Sequence, residues 1–385
     1  MNGRLEYCFN PAEVPTPAFV LDVGLMRDNL AILRRVRDET DCKILLALKA
    51  FAMYAVFPLL RETLDGVCAS SPHEARLGRE EFGGEVHTFA AAYSKNDIAE
   101  LCQTADHIVF NSHAQLSRFA PDITQNAPHI KLGLRINPQH SEGTTPLYDP
   151  CSAGSRLGVR SGQFQPADLS LLDGLHWHNL CEQGADCLER TLAKVEQDFG
   201  QYFSGLEYVN FGGGHHITRP DYDVELLCRL IKDFKTRYNT QVYLEPGEAI
   251  VLNAGYLVTT VLDIVQADLP VAILDCCVPA HMPDVLEMPY RPHIVGSGPA
   301  GEKKQTCRLG GLSCLAGDIA GEYSFDAPLT VGQKLIFTDM AHYTMVKTNT
   351  FNGMPLPAIL TFEPDTNRLT TIKTFSYQDF KGRLS

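Results

Sequence analysis

Between Met26 and Glu245 the chain alternates short apolar, β-branched runs with longer segments of helical period, and no other feature narrows its fold so much. Met26, Leu30, Leu33 and Val36 stand three or four residues apart, which places them on one face of a helix. The run Lys43–Leu48 follows, and Ala52–Leu64 reads as helix again. Further strand-like runs are Gly66–Ala69, Glu85–Phe89, His107–Phe110, Ile130–Ile136, Gly174–His178, Glu207–Phe211 and Gln241–Glu245. With Lys43–Leu48 they make eight. Helix-like segments such as Pro72–Phe82, Gln183–Phe203 and Tyr222–Tyr238 separate most of them. Regular strand-then-helix alternation argues for a parallel sheet. Eight repeats predict closure into a (β/α)8 TIM-type barrel, with an open doubly wound α/β sheet as the alternative.

Beyond Ala254 the texture changes. Tyr256–Val265, Val271–Leu274, Thr306–Gly311, Gln333–Thr338 and Ala358–Phe362 are short strand-like runs separated by Gly, Pro and Asp turns. They predict a second, mainly β domain, completed by the N-terminal segment around Thr16–Asp22, which Pro15 and Pro17 keep extended. The barrel is expected over residues 25–252 and the β-rich domain over residues 1–24 and 253–385.

Composition removes several classes of function. No stretch approaches the ~18 consecutive apolar residues of a membrane-spanning helix. Met1–Tyr7 lacks a basic region followed by an apolar one, so no secretory signal is expected. The 12 cysteines are irregularly spaced, with no CxxC-type zinc pattern. They read as reduced thiols of a cytoplasmic enzyme. A formal charge of −13 disfavours a nucleic-acid surface and suits a cationic substrate.

A barrel of this kind works at the C-terminal ends of its strands, and the chemically distinctive residues fall there. Lys49 closes the first apolar run, His178 the sixth, Gly212-Gly213-Gly214 the seventh and Glu245 the eighth. A lysine in partly desolvated surroundings can act as a nucleophile or form a Schiff base; a solvated strand-end lysine is the plainer reading. Three glycines allow backbone N–H groups to turn towards an anion such as phosphate, or form only a flexible turn. Glu245, before Pro246-Gly247, could hydrogen-bond a pyridine nitrogen or pair with a structural cation. His176 and His178 alternate across Trp177 and share one face of a strand. A two-histidine zinc site lacks a third ligand at obvious spacing, so no metal is expected and stacking on an aromatic cofactor is the better use.

Together these residues resemble the fold type III, alanine racemase-like pyridoxal-phosphate decarboxylases, from Pro17 to about Gly353. Within that group the chain looks most like the carboxynorspermidine (carboxyspermidine) decarboxylase family. The resemblance implies pyridoxal 5′-phosphate bound to Lys49 of Ala47-Leu48-Lys49-Ala50, and His178 stacked on its ring. It also implies Gly212, Gly213 and Gly214 at the phosphate and Glu245 at the ring nitrogen. Ser313-Cys314-Leu315-Ala316-Gly317-Asp318 resembles a loop that supplies a catalytic cysteine and an acid to the neighbouring subunit of a homodimer. Cys314 would then deliver a proton and Asp318 pair with a distal substrate ammonium. Tyr343 resembles a phosphate-binding tyrosine, with Phe351-Asn352-Gly353 a nearby family signature. Arg156, in Gly154-Ser155-Arg156-Leu157-Gly158, matches a basic residue near the substrate.

Two departures bear on the substrate. Ornithine and diaminopimelate decarboxylases read Glu-Pro-Gly-Arg, where this chain has Glu248, a candidate substrate contact. Their His-x-Gly-Ser is His178-Asn179-Leu180-Cys181 here. The resemblance therefore implies decarboxylation of carboxynorspermidine or carboxyspermidine to norspermidine or spermidine in polyamine biosynthesis. Diaminopimelate or ornithine decarboxylation, amino acid racemisation and an inactive regulatory relative are the alternatives.

Overall fold

The computed structural model describes residues 7–143 and 146–385, and the chain forms two compact units. One comprises Asn29–Lys49 and Met53–Ile250; the other comprises the chain up to Asp28, Ala50–Ala52 and Val251–Ser385.

The larger unit is a closed parallel barrel. Its strands are β1 (Lys43–Ala47), β2 (Gly66–Ala69), β3 (Glu85–Phe89), β4 (His107–Phe110), β5 (Lys131–Asn137), β6 (Gly174–His176), β7 (Tyr208–Asn210) and β8 (Gln241–Leu244). Each pairs in parallel with the next, and β8 pairs with β1 to close the ring. All eight sequence-predicted strands lie within a residue or two of their expected places. The open-sheet alternative is overturned by the β8–β1 ladder. The helical stripe Met26, Leu30, Leu33 and Val36 is buried, as its spacing requires.

One expected helix does not form. Ala52–Leu64 is only a 3-10 turn at Tyr54–Val56 followed by the single turn Phe57–Leu60. Pro58 has no N–H to give a carbonyl one turn back, so it can open a helix here but not sit inside one.

At the N-terminal end of the barrel the interior is filled by a polar plug. The His87 and His107 rings stack at 3.7 Å with 12° between their planes, and the Tyr243 hydroxyl donates to Glu85 at 2.9 Å. Tyr208 takes the room that a Cβ at Gly133 or Gly174 would need, 2.4 Å away in each case. This end is packed shut, in keeping with chemistry at the other.

The smaller unit is a mixed β-sheet built on the long strand Gly255–Val265. It pairs antiparallel with Ala18–Leu21, Val271–Leu274 and Lys334–Thr338. Ala18–Asp22 also pairs in parallel with Ala358–Phe362, so the N-terminal strand is stitched between two C-terminal ones. Alternate residues face opposite cores: Phe19, Leu257 and Phe337 join one cluster, and Val20, Tyr256 and Ile336 the other. Two of the longer strands went unforeseen, Ile319–Phe325 and Arg368–Lys373, besides the two-residue strand Gly298–Pro299. Ile319–Phe325 is interrupted by Gly321, and Arg368–Lys373 is polar and mostly exposed, so neither carries an apolar alternation.

Candidate active site

Lys49 stands just past β1, at the C-terminal mouth of the barrel, with its side chain exposed. Its neighbours in the strand, Ile44 to Leu48, are fully buried. The desolvated lysine anticipated from that apolar run is therefore replaced by an accessible one, because the chain turns outward at residue 49. Accessibility is what an amine that must meet a carbonyl requires. The Lys49 charge acts on the groups around it: it adds to the burial that lowers the His178 pKa, and it opposes the burial that raises that of Glu74.

Glu245 follows β8 and is held from two sides. Asn210 Nδ2 donates to Oε1 at 2.8 Å, and His176 Nε2 lies 3.3 Å from Oε2. Asn210 Oδ1 in turn accepts the Gly212 N–H at 2.8 Å. Burial pushes the Glu245 pKa up, yet the adjoining His176 and Asn210 outweigh it and hold the carboxyl at about 2. An ionised carboxylate, 12% exposed, thus faces the barrel mouth. Arg135, His176 and Asn210 lie side by side across β5, β6 and β7 in one layer beneath it.

His178 sits beyond β6. Its Nδ1 accepts the Gly213 N–H at 2.9 Å, which leaves the proton of a neutral ring on Nε2. Burial, then the charges of Lys49 and Arg135, push its pKa well below the ordinary value, so it is a neutral, flat ring.

The glycine triplet is required by close packing. A Cβ at Gly213 would lie 2.3 Å from the Glu245 carbonyl oxygen, and one at Gly214 1.9 Å from that of Leu180. Gly214 also has φ of +81°. The triplet does not aim all its amides at one point, as the sequence suggested. Gly212 and Gly213 spend theirs on Asn210 and His178. Among the described residues, the N–H groups of Gly214 and His215 find no acceptor, and these two form the anion-receptive part.

Glu248 opens the short helix Glu248–Val251 and lies 2.8 Å from His216 Nε2. Arg156 is exposed on the loop between β5 and β6, where its carbonyl accepts from Asn111 at 2.8 Å.

The other candidates belong to the β unit. Cys314 is exposed, and its N–H donates to Asn352 Oδ1 at 2.9 Å. Tyr343 has φ of +46°, and its N–H donates at 2.9 Å to the carbonyl of Ala50, the residue after Lys49 in the chain. Asp318 needs correction. It is 3% exposed, and its carboxylate accepts the N–H groups of Val278 at 2.7 Å and Ser313 at 2.9 Å. Buried and engaged by backbone, it shapes the loop that presents Cys314 and is not placed to receive a substrate ammonium. The sequence reading passed over Arg135, Asn210, His176 as a partner of Glu245, and His216. Alternation marked one face of β6, but only barrel closure brought the facing residues of β5 to β7 together.

Glu85, His87 and His107 also bring donor atoms within 4.8 Å of one another. A metal ion must lie near the plane of each imidazole that ligates it, and two stacked rings share no such point. Lys43 moreover already pairs with Glu85.

An accessible lysine, a neutral flat imidazole, an ionised acid and two unspent backbone amides at the mouth of a parallel barrel define a pyridoxal-phosphate enzyme. Each part meets a different need of that cofactor: an amine for its aldehyde, a face for its ring, an acceptor for its ring N–H and donors for its phosphate. The residues present fit the group. The pyridoxal-dependent decarboxylase family (C-terminal sheet domain) matches residues 18–341. The chain is 44% identical to carboxyaminopropylagmatine decarboxylase of Synechocystis, over 97% of this chain and 96% of that one. It is 40% identical to carboxynorspermidine/carboxyspermidine decarboxylase of Campylobacter jejuni, over 96% and 99%. A crystal structure of carboxynorspermidine decarboxylase from that organism, complexed with norspermidine, superposes with a TM-score of 0.89 at 39% identity, covering 96% of this chain and all of the other. The chain belongs to the pyridoxal-dependent decarboxylases, within them to the carboxynorspermidine/carboxyspermidine decarboxylase family.

Proposed function

We propose that this protein removes the α-carboxylate from carboxynorspermidine or carboxyspermidine, giving norspermidine or spermidine, as a cytoplasmic step of polyamine biosynthesis. The observation that carries the reading is the grouping of Lys49, neutral His178 and ionised Glu245 at one barrel mouth, in a chain alignable with such enzymes over 96% of its length. No helix among the described residues is long and apolar enough to cross a membrane.

Pyridoxal phosphate, when bound, supplies a carbonyl for amines and an electron-accepting ring that takes up the pair released with carbon dioxide. Lys49 Nζ is the amine that holds it and that a substrate amine displaces. Glu245, kept ionised by His176 and Asn210, holds a proton on the ring nitrogen. His178 presents a face for stacking, with Gly213 fixing its rotation. Gly214 and His215 N–H groups bind the phosphate. Arg156 and Glu248 contact the substrate, Glu248 as an acid for one of its ammonium groups. Cys314, exposed on the loop that Asp318 braces, delivers the proton that replaces the lost carboxylate. It does so in the active site of a second copy, making the working unit a homodimer.

A second reading is favoured by the 44% identity with the Synechocystis enzyme: a carboxylated agmatine derivative, whose tail ends in a guanidinium rather than an ammonium. The deciding experiment offers the cofactor-loaded protein carboxynorspermidine, carboxyspermidine, carboxyaminopropylagmatine, meso-diaminopimelate and L-ornithine separately, and follows carbon dioxide release. Turnover confined to the carboxylated triamines upholds the proposal; preference for the agmatine derivative replaces the tail assignment. Turnover of diaminopimelate or ornithine alone overturns the substrate class.

A further inference from the structure

Arg135 is a buried cation with most of its hydrogen-bonding capacity unspent. It is 4% exposed, in the same layer of the barrel as His176 and Asn210. One N–H group donates to the His178 carbonyl at 2.9 Å, and the guanidinium lies 4.5 Å from the centre of the Phe89 ring. Among the described residues no carboxylate comes within 4.0 Å of it. A guanidinium offers five N–H donors and keeps its charge when buried, so leaving it without an anion is costly. Burial lowers its pKa to about 10, although the charges of Cys151 and Glu245 act to raise it. The fold keeps a buried cation, with no carboxylate in ion-pair contact among the described residues, beside the residues that hold Glu245 and His178.

We propose that Arg135 binds the phenolic oxygen of the cofactor and keeps it anionic. The substrate carboxylate is the other anion that reaches this mouth, but an arginine gripping it would stabilise the ground state and oppose its loss. A phenolate gains from the same contact throughout the reaction. Arginine suits the role because it donates hydrogen bonds without surrendering its proton. With Glu245 on the ring nitrogen and Arg135 on the ring oxygen, the two ends of the ring are held in opposite charge states. The inference rests on Lys49 carrying the cofactor.

Apo-protein would be titrated with pyridoxal phosphate and with its 3-deoxy analogue, following absorbance of the lysine-bound species. Wild-type protein should bind the analogue roughly 10- to 100-fold more weakly, the worth of a hydrogen bond to a charged group. Arg135→Gln should abolish that discrimination, shift the bound cofactor towards its short-wavelength absorbance, and regain part of both with Arg135→Lys. Equal binding of both compounds by the wild-type protein overturns the proposal, as does full discrimination by Arg135→Gln. Should Arg135→Gln fail to fold, Arg135→Met serves in its place. A raised KM for carboxylated substrate with an unchanged cofactor spectrum would assign Arg135 to the substrate instead. Failure of the intact cofactor to form any coloured species would sink the Lys49 assignment itself.

Discussion

Replacing Glu245 with glutamine tests the electrostatic centre of the site while preserving its shape. In the folded protein this carboxyl titrates near 2 against an ordinary 4.5. At ~1.4 kcal/mol per pH unit, the native surroundings favour the ionised form by at most about 3 kcal/mol. A depressed folded pKa means that this stabilisation is complete above pH 4.5 and fades as the pH falls towards 2. Denaturant unfolding of the apo-proteins should therefore separate wild type from Glu245→Gln by about 2–3 kcal/mol at pH 7, with the gap closing as the pH drops through that window. The fold should survive, because His176 Nδ1 has no partner of its own and the ring can exchange tautomers to accept from the new amide. An amide cannot hold a proton on the ring nitrogen as a carboxylate does. Turnover should fall on the order of 10²-fold, the size of losing one preorganised electrostatic contact. Carbon dioxide release and cofactor absorbance, measured on the same samples, separate lost chemistry from lost cofactor. Wild-type turnover by a Glu245→Gln protein that keeps its cofactor would refute the reasoning.

Lys49→Ala should lose the absorbance of covalently held cofactor and all turnover; a variant that keeps both contradicts the assignment. Gly214→Ala places a methyl group 1.9 Å from the Leu180 carbonyl oxygen at a φ of +81°, so the loop must shift. Its cost should be roughly 1–3 kcal/mol of stability with weakened cofactor binding, read by thermal unfolding and equilibrium dialysis. Cys314→Ala should leave stability within about 0.5 kcal/mol, its side chain being exposed, while cutting turnover. Mixing it with Lys49→Ala should then restore part of the activity, and no recovery would argue against a site shared between copies. Asp318→Asn cannot accept at both positions that Val278 and Ser313 address; it should cost about 1–3 kcal/mol and disturb kcat through the Cys314 loop more than KM. A selective rise in KM would return Asp318 to substrate recognition.

The eight barrel strands were legible because a parallel strand buried on both faces must be a nearly continuous apolar run, as Ile44–Leu48 and Ile108–Phe110 are. Lys49, His178, the glycine triplet and Glu245 were legible because the strand order alone puts strand ends at one mouth. The failures had local causes. Pro58 breaks the expected helix Ala52–Leu64, whose apolar period looked unbroken, by starting a new turn at Phe57, and the Arg368–Lys373 edge strand draws its order from pairing with Ala358–Glu363. Asp318 was misjudged for a different reason. Nothing in Ser313–Asp318 tells whether its carboxylate turns outward to a ligand or inward to the N–H groups of Val278 and Ser313.

What the sequence determined by itself was periodicity, and through periodicity the barrel, its working end and the residues arriving there. Tertiary structure decided how those residues are charged and engaged. Glu245 is held ionised against its burial because His176, His87 and Asn210, far from it in sequence, act on it across the closed barrel. The glycine loop keeps two amides for an anion because Asn210 and His178 claim the other two. Arg135 has no carboxylate in ion-pair contact among the described residues, because closure of the ring buries it beside Phe89 and the His178 carbonyl, where the Glu245 charge acts on it only from a distance. Patterning is a property of neighbours along the chain, whereas protonation and hydrogen bonding depend on neighbours in space, which only the closed barrel supplies.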